Sequence, residues 1–445
     1  MQPGKSTYLI VAIVAFALAG VVDAAAQTTP KPLAGDALLT EVQNREFRFF
    51  WDKSDPTTGL TNDRARNVGG EDEYTVASIA STGYALASLP VAVQHKWVTK
   101  AQAYDRALLT LKYVCERFPN EHGWYYHFID KHTGARVWNC ELSSIDTALL
   151  LLGALESGEY WKGTEVNRLA NRIYDRVDWT WMRTDGGKQP DKLTLAMGWK
   201  PETGFLENNW DHYCELMFLY ILGLGANKNP LPRESWNAWE RNLYSHGKYT
   251  TLAGGPIFMH QMAQIYFNMK DQRDSSGWDY WVSSTSATLM NRDYCIELSA
   301  TRKSYGPNIW ALNACDAPDG YNAFGVPSPE NGTVSTTGAI ASIIYTPVLS
   351  RASADETYRR FADRMWGRYG FSDSFNLDRG WFDPDVIGID LGMALLAIED
   401  VRSGLPWKLL ASHPSMHRGM DRAGFHHTVE PLPRALRKEP ASMPN

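Results

Sequence analysis

Several chemical features are scarce or missing in this 445-residue sequence, and each absence excludes a class of function. Lysine and arginine total 44 against 50 acidic residues, a net charge of −6, so no basic groove for nucleic acid is predicted. Cysteine is also scarce. The five cysteines are an odd number and several lie within helical patterns, which predicts mostly buried thiols with at most one or two disulfides.

Motifs that mark common cofactor sites are missing as well. The sequence has no Cys-x-x-Cys or His-Glu-x-x-His spacing, so we predict no metal ion and no other cofactor. It also lacks a Gly-x-Ser-x-Gly elbow and a glycine loop that could cradle phosphate. An esterase or a nucleotide-dependent enzyme therefore has no support.

Long apolar runs occur only at the amino terminus. Lys5 precedes an apolar stretch from Tyr8 to Val22, and the small residues Ala24, Ala25 and Ala26 follow. This order is typical of a signal peptide over residues 1–26, although a retained membrane anchor is the alternative. We expect a secreted or periplasmic protein with no membrane contact after processing, and a monomer.

Aromatic residues, by contrast, are abundant. Tryptophan, tyrosine and phenylalanine number 17, 21 and 16, or 12% of the chain. Most large aromatic side chains are buried in cores, but indole and phenol rings also present flat faces on which sugar rings stack. The composition weakly favours a carbohydrate partner.

Two kinds of predicted helix alternate from about residue 38 to residue 401. Amphipathic segments are TEVQNREFRFFWD, AYDRALLTLKYVCERF, VNRLANRIYDRVDWTWM, ESWNAWERNLYSH, DYWVSSTSATLMNRDYC and ETYRRFADRMWGRYG. Segments with few charges are VASIASTGYALASL, SSIDTALLLLGAL, DHYCELMFLYILGLG, PIFMHQMAQIYF, VSTTGAIASIIY and IDLGMALLAIED. A helix that is apolar nearly all round is buried on both sides, whereas an amphipathic helix keeps one solvated face.

Six outer helices alternating with six inner helices predict an all-α fold, an (α/α)6 barrel. We assign this barrel to residues 27–409 as a catalytic domain and expect a disordered tail over 410–445, which has no apolar periodicity. An α-solenoid and a helical bundle with insertions are the alternatives. The lack of a repeat of fixed period counts against the solenoid.

Acidic side chains open several of the predicted inner helices. They are Glu141 and Asp146 in NCELSSIDTALLLLGAL, Glu215 in NNWDHYCELMFLYILGLG and Asp390 in VIGIDLGMALLAIED. Each could simply cap its helix, because anions are favoured at helix N-termini. In a closed ring, however, the N-termini of the inner helices meet at one end, so the four carboxylates are predicted to share one acidic cleft.

The order of longer phrases along the chain adds a family resemblance. These phrases include FFWDKSDPTTGLTNDR, GWYYHFID, ELSSIDTALLLLGAL, WDHYCELMFLYILGLG, YGPNIWALNACDAPDGY and IGIDLGMALLAIEDVRSGLPW. Over residues 41–407 the chain resembles the glucoamylase-like family, which is related to bacterial glycoside hydrolases that degrade β-1,2-glucan. Thr336 and Ile344 depart from the family pattern, where proline is expected.

The resemblance implies an (α/α)6 barrel and hydrolysis of a β-linked glucan, most simply β-1,2-glucan, with inversion and without a metal. Such chemistry needs one protonated carboxyl and one ionised carboxylate. Glu215 is our candidate acid because it is predicted to lie one turn into an apolar helix, where burial raises a carboxyl pKa. The alternative for Glu215 is a core glutamate bonded to a tryptophan or arginine.

The identity of the base is less clear from sequence. Asp146 ranks first, Asp390 second, and Glu141 is expected to bind a substrate hydroxyl. Sugar contacts are expected from polar fingers and aromatic platforms in the long links. The candidates are Asp63, Arg64, His127, His260, Tyr305, Trp310, Asp316, Tyr321 and Asp373.

Two other functions remain compatible with a helical barrel. A polysaccharide lyase would rely on proton transfer by tyrosine or histidine and on cationic clamps for uronates. A non-catalytic glycan-binding protein would keep the cleft and lack the chemistry.

Overall fold

The computed structural model describes residues 33–327 and 329–428, so the predicted signal peptide lies outside the described residues. Most of the regular structure is α-helix. The helices are α1 (Gly35–Asp52), α2 (Ile79–Gln94), α3 (Lys100–Glu116), α4 (Ser144–Tyr160), α5 (Glu165–Tyr174), α6 (Trp179–Arg183), α7 (Met217–Gly225), α8 (Phe258–Tyr266), α9 (Tyr280–Leu298), α10 (Thr336–Ala341), α11 (Pro347–Met365), α12 (Gly388–Arg402), α13 (Leu405–Ala411) and α14 (Pro414–Ala423).

The strands are short and form small antiparallel sheets. They are β1 (Arg64–Arg66), β2 (Val76–Ser78), β3 (Asn120–Glu121), β4 (Trp124–Tyr126), β5 (Phe128–Asp130), β6 (Leu142–Ser143), β7 (Gly198–Lys200), β8 (Gly204–Phe205), β9 (Leu243–His246), β10 (Tyr249–Leu252), β11 (Gln272–Arg273), β12 (Ala314–Cys315), β13 (Asn322–Ala323), β14 (Thr333–Ser335), β15 (Trp366–Gly367), β16 (Gly370–Phe371), β17 (Ser374–Asn376), β18 (Trp381–Phe382), β19 (Asp385–Ile387) and β20 (His426–His427). The largest sheet has the order β3-β4-β6-β7-β8.

Helices with few charges form the core, as their composition predicts. Nearly every residue of α2, α4 and α12 is buried, and α2 packs against both α4 and α12. Helix α12 contacts α2, α8 and α10, while α4 contacts α2 and α7. The amphipathic helices α1, α3, α5 and α11 lie outside this group and keep exposed faces.

Glycine lets α2 and α4 approach each other closely. A Cβ atom at Gly153 would lie 1.9 Å from the carbonyl oxygen of Gly83, and a Cβ at Gly83 would lie 2.4 Å from the carbonyl oxygen of Leu149. Neither distance is possible for a real side chain, so the small residues in these segments fix the spacing of the two helices.

A short strand precedes four of the buried helices and aims the first turn of each. Strands β2, β6, β14 and β19 end directly before α2, α4, α10 and α12. In the first three, the last strand residue is a serine whose hydroxyl accepts a hydrogen bond from the backbone three residues later; these caps are Ser78, Ser143 and Ser335. The strands are themselves paired with loop strands, so the helix N-termini are held in place by backbone hydrogen bonds.

One predicted outer helix is wrong. The segment ESWNAWERNLYSH forms a short 3₁₀ turn, Arg233–Asn237, and then strand β9 of a hairpin with β10. Arg241 donates hydrogen bonds to the carbonyl oxygens of Trp236 and Trp239, and its guanidinium lies 3.4 Å from the Trp239 ring centroid. These contacts take up backbone acceptors that a continuous helix would use.

The prediction of a disordered tail over 410–445 is also wrong for the residues up to 428, and the boundary at 409 falls inside α13. Helix α14 packs against α7, where a Cβ at Gly225 would lie 1.9 Å from the Ser415 carbonyl oxygen and a Cβ at Gly419 would lie 2.2 Å from that of Ile221. Arg418 donates to the Gly225 carbonyl oxygen at the end of α7. The buried positions of this short helix do recur at helical spacing, but among Ser415, Met416, Gly419 and Ala423 only Met416 is a large apolar residue, and the segment was therefore overlooked. Residues 429–445 of the predicted tail lie outside the described residues.

All five cysteines are free, in agreement with the prediction of thiols. Within the described residues, no helix combines the length and the apolar character that crossing a bilayer requires.

Candidate active site

A cavity of about 320 Å³ opens at the N-terminal ends of the buried helices. Three of the four predicted catalytic carboxylates line it: Asp146 from the first turn of α4, Asp390 from the first turn of α12, and Glu215 just ahead of α7. The other lining residues are Asp63, Arg64, His127, Phe128, Ile145, Leu149, Phe258, Met262, Ala314, Tyr321, Ile387, Ile389 and Met393. Side chains from distant parts of the sequence thus meet in one hollow.

Glu215 lies in a turn rather than inside a helix. Helix α7 begins at Met217, so the prediction that Glu215 lies one turn into the helix is wrong in detail. Leu216, Met217 and Tyr213 beside it are buried, Glu215 itself is partly buried, and desolvation of its carboxyl group raises the pKa of Glu215 to about 7. A carboxyl with this pKa is largely protonated at mildly acidic pH, as a proton donor requires.

Asp146 has different surroundings. Its carboxylate accepts a hydrogen bond from the Ser143 hydroxyl at 2.5 Å, and its Oδ2 lies 3.5 Å from Nε2 of His127. The other ring nitrogen of His127, Nδ1, donates to Oε1 of Glu141 at 3.0 Å. His127 therefore bridges the two acids that the sequence places on either side of the start of α4.

The electrostatics of this bridge favour a charged histidine. Burial lowers the pKa of His127, but the negative charges of Asp146, Glu141 and Asp63 outweigh it and raise the pKa to about 9. The hydrogen bond from His127 in turn lowers the pKa of Glu141. Glu141 is not among the residues that line the cavity, and it contacts the ring nitrogen of His127 that does not face Asp146.

Asp63 and Arg64 also line the cavity. The antiparallel pairing of β1 with β19 sets Arg64 opposite Ile387, and the Gly388 amide donates to the Asp63 carbonyl oxygen at 2.7 Å. Arg64 NH1 donates to Oδ2 of Asp316 at 2.7 Å, and its Nε lies 3.5 Å from Oδ2 of Asp63. The pairing of these strands brings residues 63–64 beside the start of α12.

Asp390 is the most deeply placed of the three cavity acids. It is 3% exposed, and its Oδ2 has no hydrogen-bond partner among the described residues. Burial, together with the negative charges of Asp316 and Asp63, raises its pKa well above the usual range of an aspartate. The neutral acid is favoured here in the free protein, in contrast to the ion-paired Asp146.

Asp316 and Asp373 support this wall from behind. The Asp316 amide donates to Oδ2 of Asp373 at 2.8 Å, and neither residue lines the cavity. Asp373 is buried, and burial together with the charge of Asp390 raises its pKa. Asp316 thus joins Arg64, which lines the cavity, to the buried Asp373.

Of the remaining residues predicted to bind sugar, one lines the cavity and three do not. Tyr321 lines the cavity and is 57% exposed, as a stacking residue must be. His260, Tyr305 and Trp310 are buried and are not among the lining residues, so the structure does not bring them to this cavity. Trp310 has no exposed surface, and an indole without a free face cannot stack on a sugar.

His260 and Tyr305 have structural partners instead. Nδ1 of His260 lies 3.2 Å from the Tyr213 hydroxyl, and burial lowers the His260 pKa to about 3, which keeps the ring neutral. The Tyr305 hydroxyl donates to Glu330 at 3.0 Å in the loop before β14. Both side chains bind other parts of the protein.

Sequence reasoning missed two aromatic residues near the cavity. Phe128 is part of its wall and follows His127 directly, so the aromatic phrase GWYYHF was a usable signal. Trp138 is 69% exposed and contacts Phe128 edge-on, with ring centroids 5.2 Å apart. No local pattern distinguishes Trp138 from the many core tryptophans.

A group of histidine, cysteine or acidic side chains arranged to hold a metal ion is not found in the described part of the chain. The cavity acids are instead distributed between an ion-paired wall around His127 and a buried wall around Asp390.

Comparison with known proteins places this cavity in a family context. The glycoamylase family model, described as “Putative glucoamylase”, matches residues 207–414. A curated protein of Parabacteroides distasonis, an exo β-1,2-glucooligosaccharide sophorohydrolase acting at the non-reducing end, is 25% identical over 95% of this chain. The chain spans 62% of the length of that relative.

Two solved structures have the same architecture over most of both chains. The endo-β-1,2-glucanase of Chitinophaga pinensis, in complex with sophorotriose and glucose, superposes with a TM-score of 0.81 at 25% identity, covering 88% of this chain and 99% of that one. A Bacteroides uniformis structure, described in the same words as the family model, gives a TM-score of 0.81 at 28% identity, covering 89% and 99%. The resemblance of this chain to the glucoamylase-like family, whose relatives include β-1,2-glucan-degrading glycoside hydrolases, is confirmed.

Proposed function

We propose that the protein is a glycoside hydrolase that cleaves β-1,2-linked glucan by carboxylate acid–base catalysis. The observation that carries this proposal is the pair of unlike carboxyl groups in one cavity: Glu215 with a pKa of about 7 and Asp146 beside a positively charged histidine. Glycosidic hydrolysis needs this division, since one group must give a proton while the other is already ionised. The β-1,2-glucan relatives supply the linkage.

Glu215 is the proposed proton donor to the departing sugar oxygen. Its protonated form persists because burial penalises the charged form, and the apolar lining from Phe258 and Met262 maintains that environment. Once a sugar fills the cavity and excludes water, the same effect strengthens.

Asp146 is the proposed base, with Asp390 as the alternative. His127, whose pKa is raised to about 9, lies 3.5 Å from Asp146 and places a positive charge beside the carboxylate that would take a proton from water. Asp390 is favoured as the neutral acid in the free protein and would have to lose its proton on substrate binding. The variants Asp146→Asn and Asp390→Asn distinguish these two candidates. The variant that lacks the base should have a much lower kcat, and added formate should restore part of that kcat.

Inversion at the anomeric carbon follows the family expectation. In this mechanism the base activates a water on the face opposite the leaving group, with no covalent sugar–enzyme intermediate. Proton NMR of the first product formed from a β-1,2-linked substrate tests it, because inversion releases the α-anomer.

Sugar recognition is proposed to fall to Asp63, Arg64 and Tyr321 in the cavity. The two charged groups read hydroxyls, and the exposed tyrosine ring offers a flat face. Arg64 and His127 are both paired with carboxylates, which argues against a lyase, since a uronate needs unneutralised cations.

The fold and location complete the proposal. The contacts among α2, α4, α7, α8, α10 and α12 support a closed (α/α)6 barrel with their N-termini around the cavity. The sequence of residues 1–26 supports export to the periplasm or the medium, where a polymeric glucan is found, and we propose a monomer.

The deciding experiment is incubation of the purified protein with β-1,2-, β-1,3-, β-1,6- and α-1,4-glucans, followed by product sizing. Depolymerisation of the β-1,2-glucan alone is expected. Disaccharide released from the first minutes would indicate attack at chain ends, and a ladder of sizes would indicate internal attack. An unsaturated product absorbing in the ultraviolet would overturn the assignment in favour of a lyase, and binding without any cleavage would indicate a glycan-binding protein.

A further inference from the structure

An exposed indole lies just outside the cavity, on the loop between β5 and β6. Trp138 is 69% exposed and does not line the cavity. Its ring contacts that of Phe128, which does line the cavity. A single exposed apolar side chain needs no special explanation by itself. The position of Trp138 beside a sugar-sized cavity is what distinguishes it.

The backbone at Trp138 is sterically unfavourable. The Cys140 amide donates to the Val137 carbonyl oxygen at 3.2 Å, closing a four-residue turn whose central residues, Trp138 and Asn139, have φ values of 55° and 49°. Positive φ at both central positions is characteristic of a type I′ turn, for which glycine, asparagine and aspartate are suited and tryptophan is not. A bulky residue persists at such a position when the side chain serves a function.

The loop that carries Trp138 is held firmly. Arg136 donates to the Cys140 carbonyl oxygen at 2.5 Å and forms two hydrogen bonds with Glu202, at 2.6 and 3.1 Å. The Val137 amide donates to the Phe128 carbonyl oxygen at 3.1 Å. The indole is therefore presented in a fixed place before any ligand arrives, which lowers the entropic cost of binding.

An aromatic row connects this indole to the proposed base. The rings of His127 and Phe128 are stacked at 3.8 Å with an interplanar angle of 15°, and Trp138 meets Phe128 at 61°. His127 Nε2 lies 3.5 Å from Asp146 at the inner end of the row. A chain of sugar units leaving the cavity on this side would pass over Phe128 and then reach Trp138.

We propose that Trp138 is a stacking platform for a glucose unit of the glucan beyond those held in the cavity, and that it sets a preference for longer chains. The inference rests on the proposed function, because it takes the ligand to be a neutral β-glucan chain. Such a chain has C–H faces that stack on indole and hydroxyls that stay in water, which suits an exposed ring.

The test compares Trp138→Ala with Trp138→Phe across β-1,2-gluco-oligosaccharides of increasing length. For Trp138→Ala we expect kcat/KM to fall about tenfold on long oligosaccharides, through KM, and to stay unchanged on the shortest cleaved substrate. Trp138→Phe should recover most of the loss. Leu243→Ala, at another exposed apolar residue, 55% exposed and on β9, is the matched control and should change nothing.

Two further outcomes separate this inference from the proposed function. Suppose that the wild-type protein cleaves the glucan. If Trp138→Ala then lowers kcat/KM by the same factor at every oligosaccharide length, or at no length, the platform is overturned while the hydrolase assignment stands. If no cleavage is seen, calorimetry measures the affinity of the oligosaccharides for Glu215→Gln and for the double variant that also carries Trp138→Ala. Length-dependent weakening there supports the platform without catalysis, and no difference in affinity overturns it.

Discussion

At the scale of single residues, the unlike environments of the cavity acids determine the expected pH behaviour. Desolvation raises the pKa of Glu215 to about 7, whereas the carboxylate of Asp146 lies beside a histidine whose pKa is raised to about 9. The sequence predicted that these acids and Asp390 meet, because each opens an apolar segment. It could not predict their protonation, which depends on the side chains that other segments bring nearby.

The basic limb of the pH profile should report Glu215. Because the donor must be protonated and its pKa is about 7, kcat/KM should be level below that pH and fall about tenfold per pH unit well above it. The measurement is kcat/KM on a β-1,2-gluco-oligosaccharide from pH 5 to pH 9.5. A profile that stays level to pH 9 would exclude Glu215 as the donor.

His127 should link folding stability to pH. Its pKa is raised to about 9 in the folded protein from an ordinary value near 6.5, so its ion pairs stabilise fully below pH 6.5 and are lost as the pH rises through about 9. Denaturation in urea at pH 6.5 and pH 9 should show a larger loss of stability for wild type than for His127→Gln. Equal losses in both proteins would mean that this histidine is neutral when folded.

The same scale shows why only some of the predicted sugar-binding residues lie at the cavity. Trp310 and Tyr321 both lie in the aromatic-rich link before α10, yet the first is fully buried and the second is 57% exposed. The sequence gives both the same kind of neighbours. Which ring meets solvent depends on packing against distant elements, and that information is not local.

At the scale of elements, the glycines between helices fix the geometry of the site. The segments rich in glycine, alanine and serine correctly predicted α2, α4 and α12, since small residues allow close backbone approach. The same reasoning failed for ESWNAWERNLYSH, where Arg241 interacts with the tryptophans of its own segment and a hairpin follows.

Gly153→Ala should destabilise the fold measurably. The new Cβ would lie 1.9 Å from the Gly83 carbonyl oxygen, so α2 and α4 must separate, at a cost of about 1–3 kcal/mol in the free energy of unfolding. Activity should fall too, because α4 carries Asp146. Gly70→Ala is the control, since its Cβ would have no neighbour within 4 Å. Equal stability of the two variants in urea would refute the close-packing account.

At the scale of the whole molecule, the chain surrounds its cavity with helices from both ends of the sequence. Strand β1, near the amino end, pairs with β19, and α14, near the carboxyl end, packs against α7 at Ile221 and Gly225. The alternation of two helix types predicted the inner and outer helices. It did not predict α14, because three of the four positions that this short helix buries are the small residues Ser415, Gly419 and Ala423.

A variant ending at Ala411 should therefore be unstable and inactive. This variant lacks α14, so the surface of α7 that buries Met416 becomes exposed to water. We expect its free energy of unfolding to fall by about 3 kcal/mol or more. Gly419→Val, whose Cβ would lie 2.2 Å from the Ile221 carbonyl oxygen, should cause a smaller loss in the same direction. Thermal unfolding measures both. Unchanged melting of the shortened chain would show that α14 is dispensable.

The central claim is that acids from separate helices form one sugar-cleaving cavity with Glu215 as its proton donor. The most direct measurement compares Glu215→Gln with wild type in turnover of a β-1,2-gluco-oligosaccharide and in calorimetric affinity for it. The account predicts a kcat lower by about a thousandfold with affinity within a few-fold, because the amide keeps the shape of the carboxyl but has no proton to give. Turnover close to wild type in that variant would contradict it.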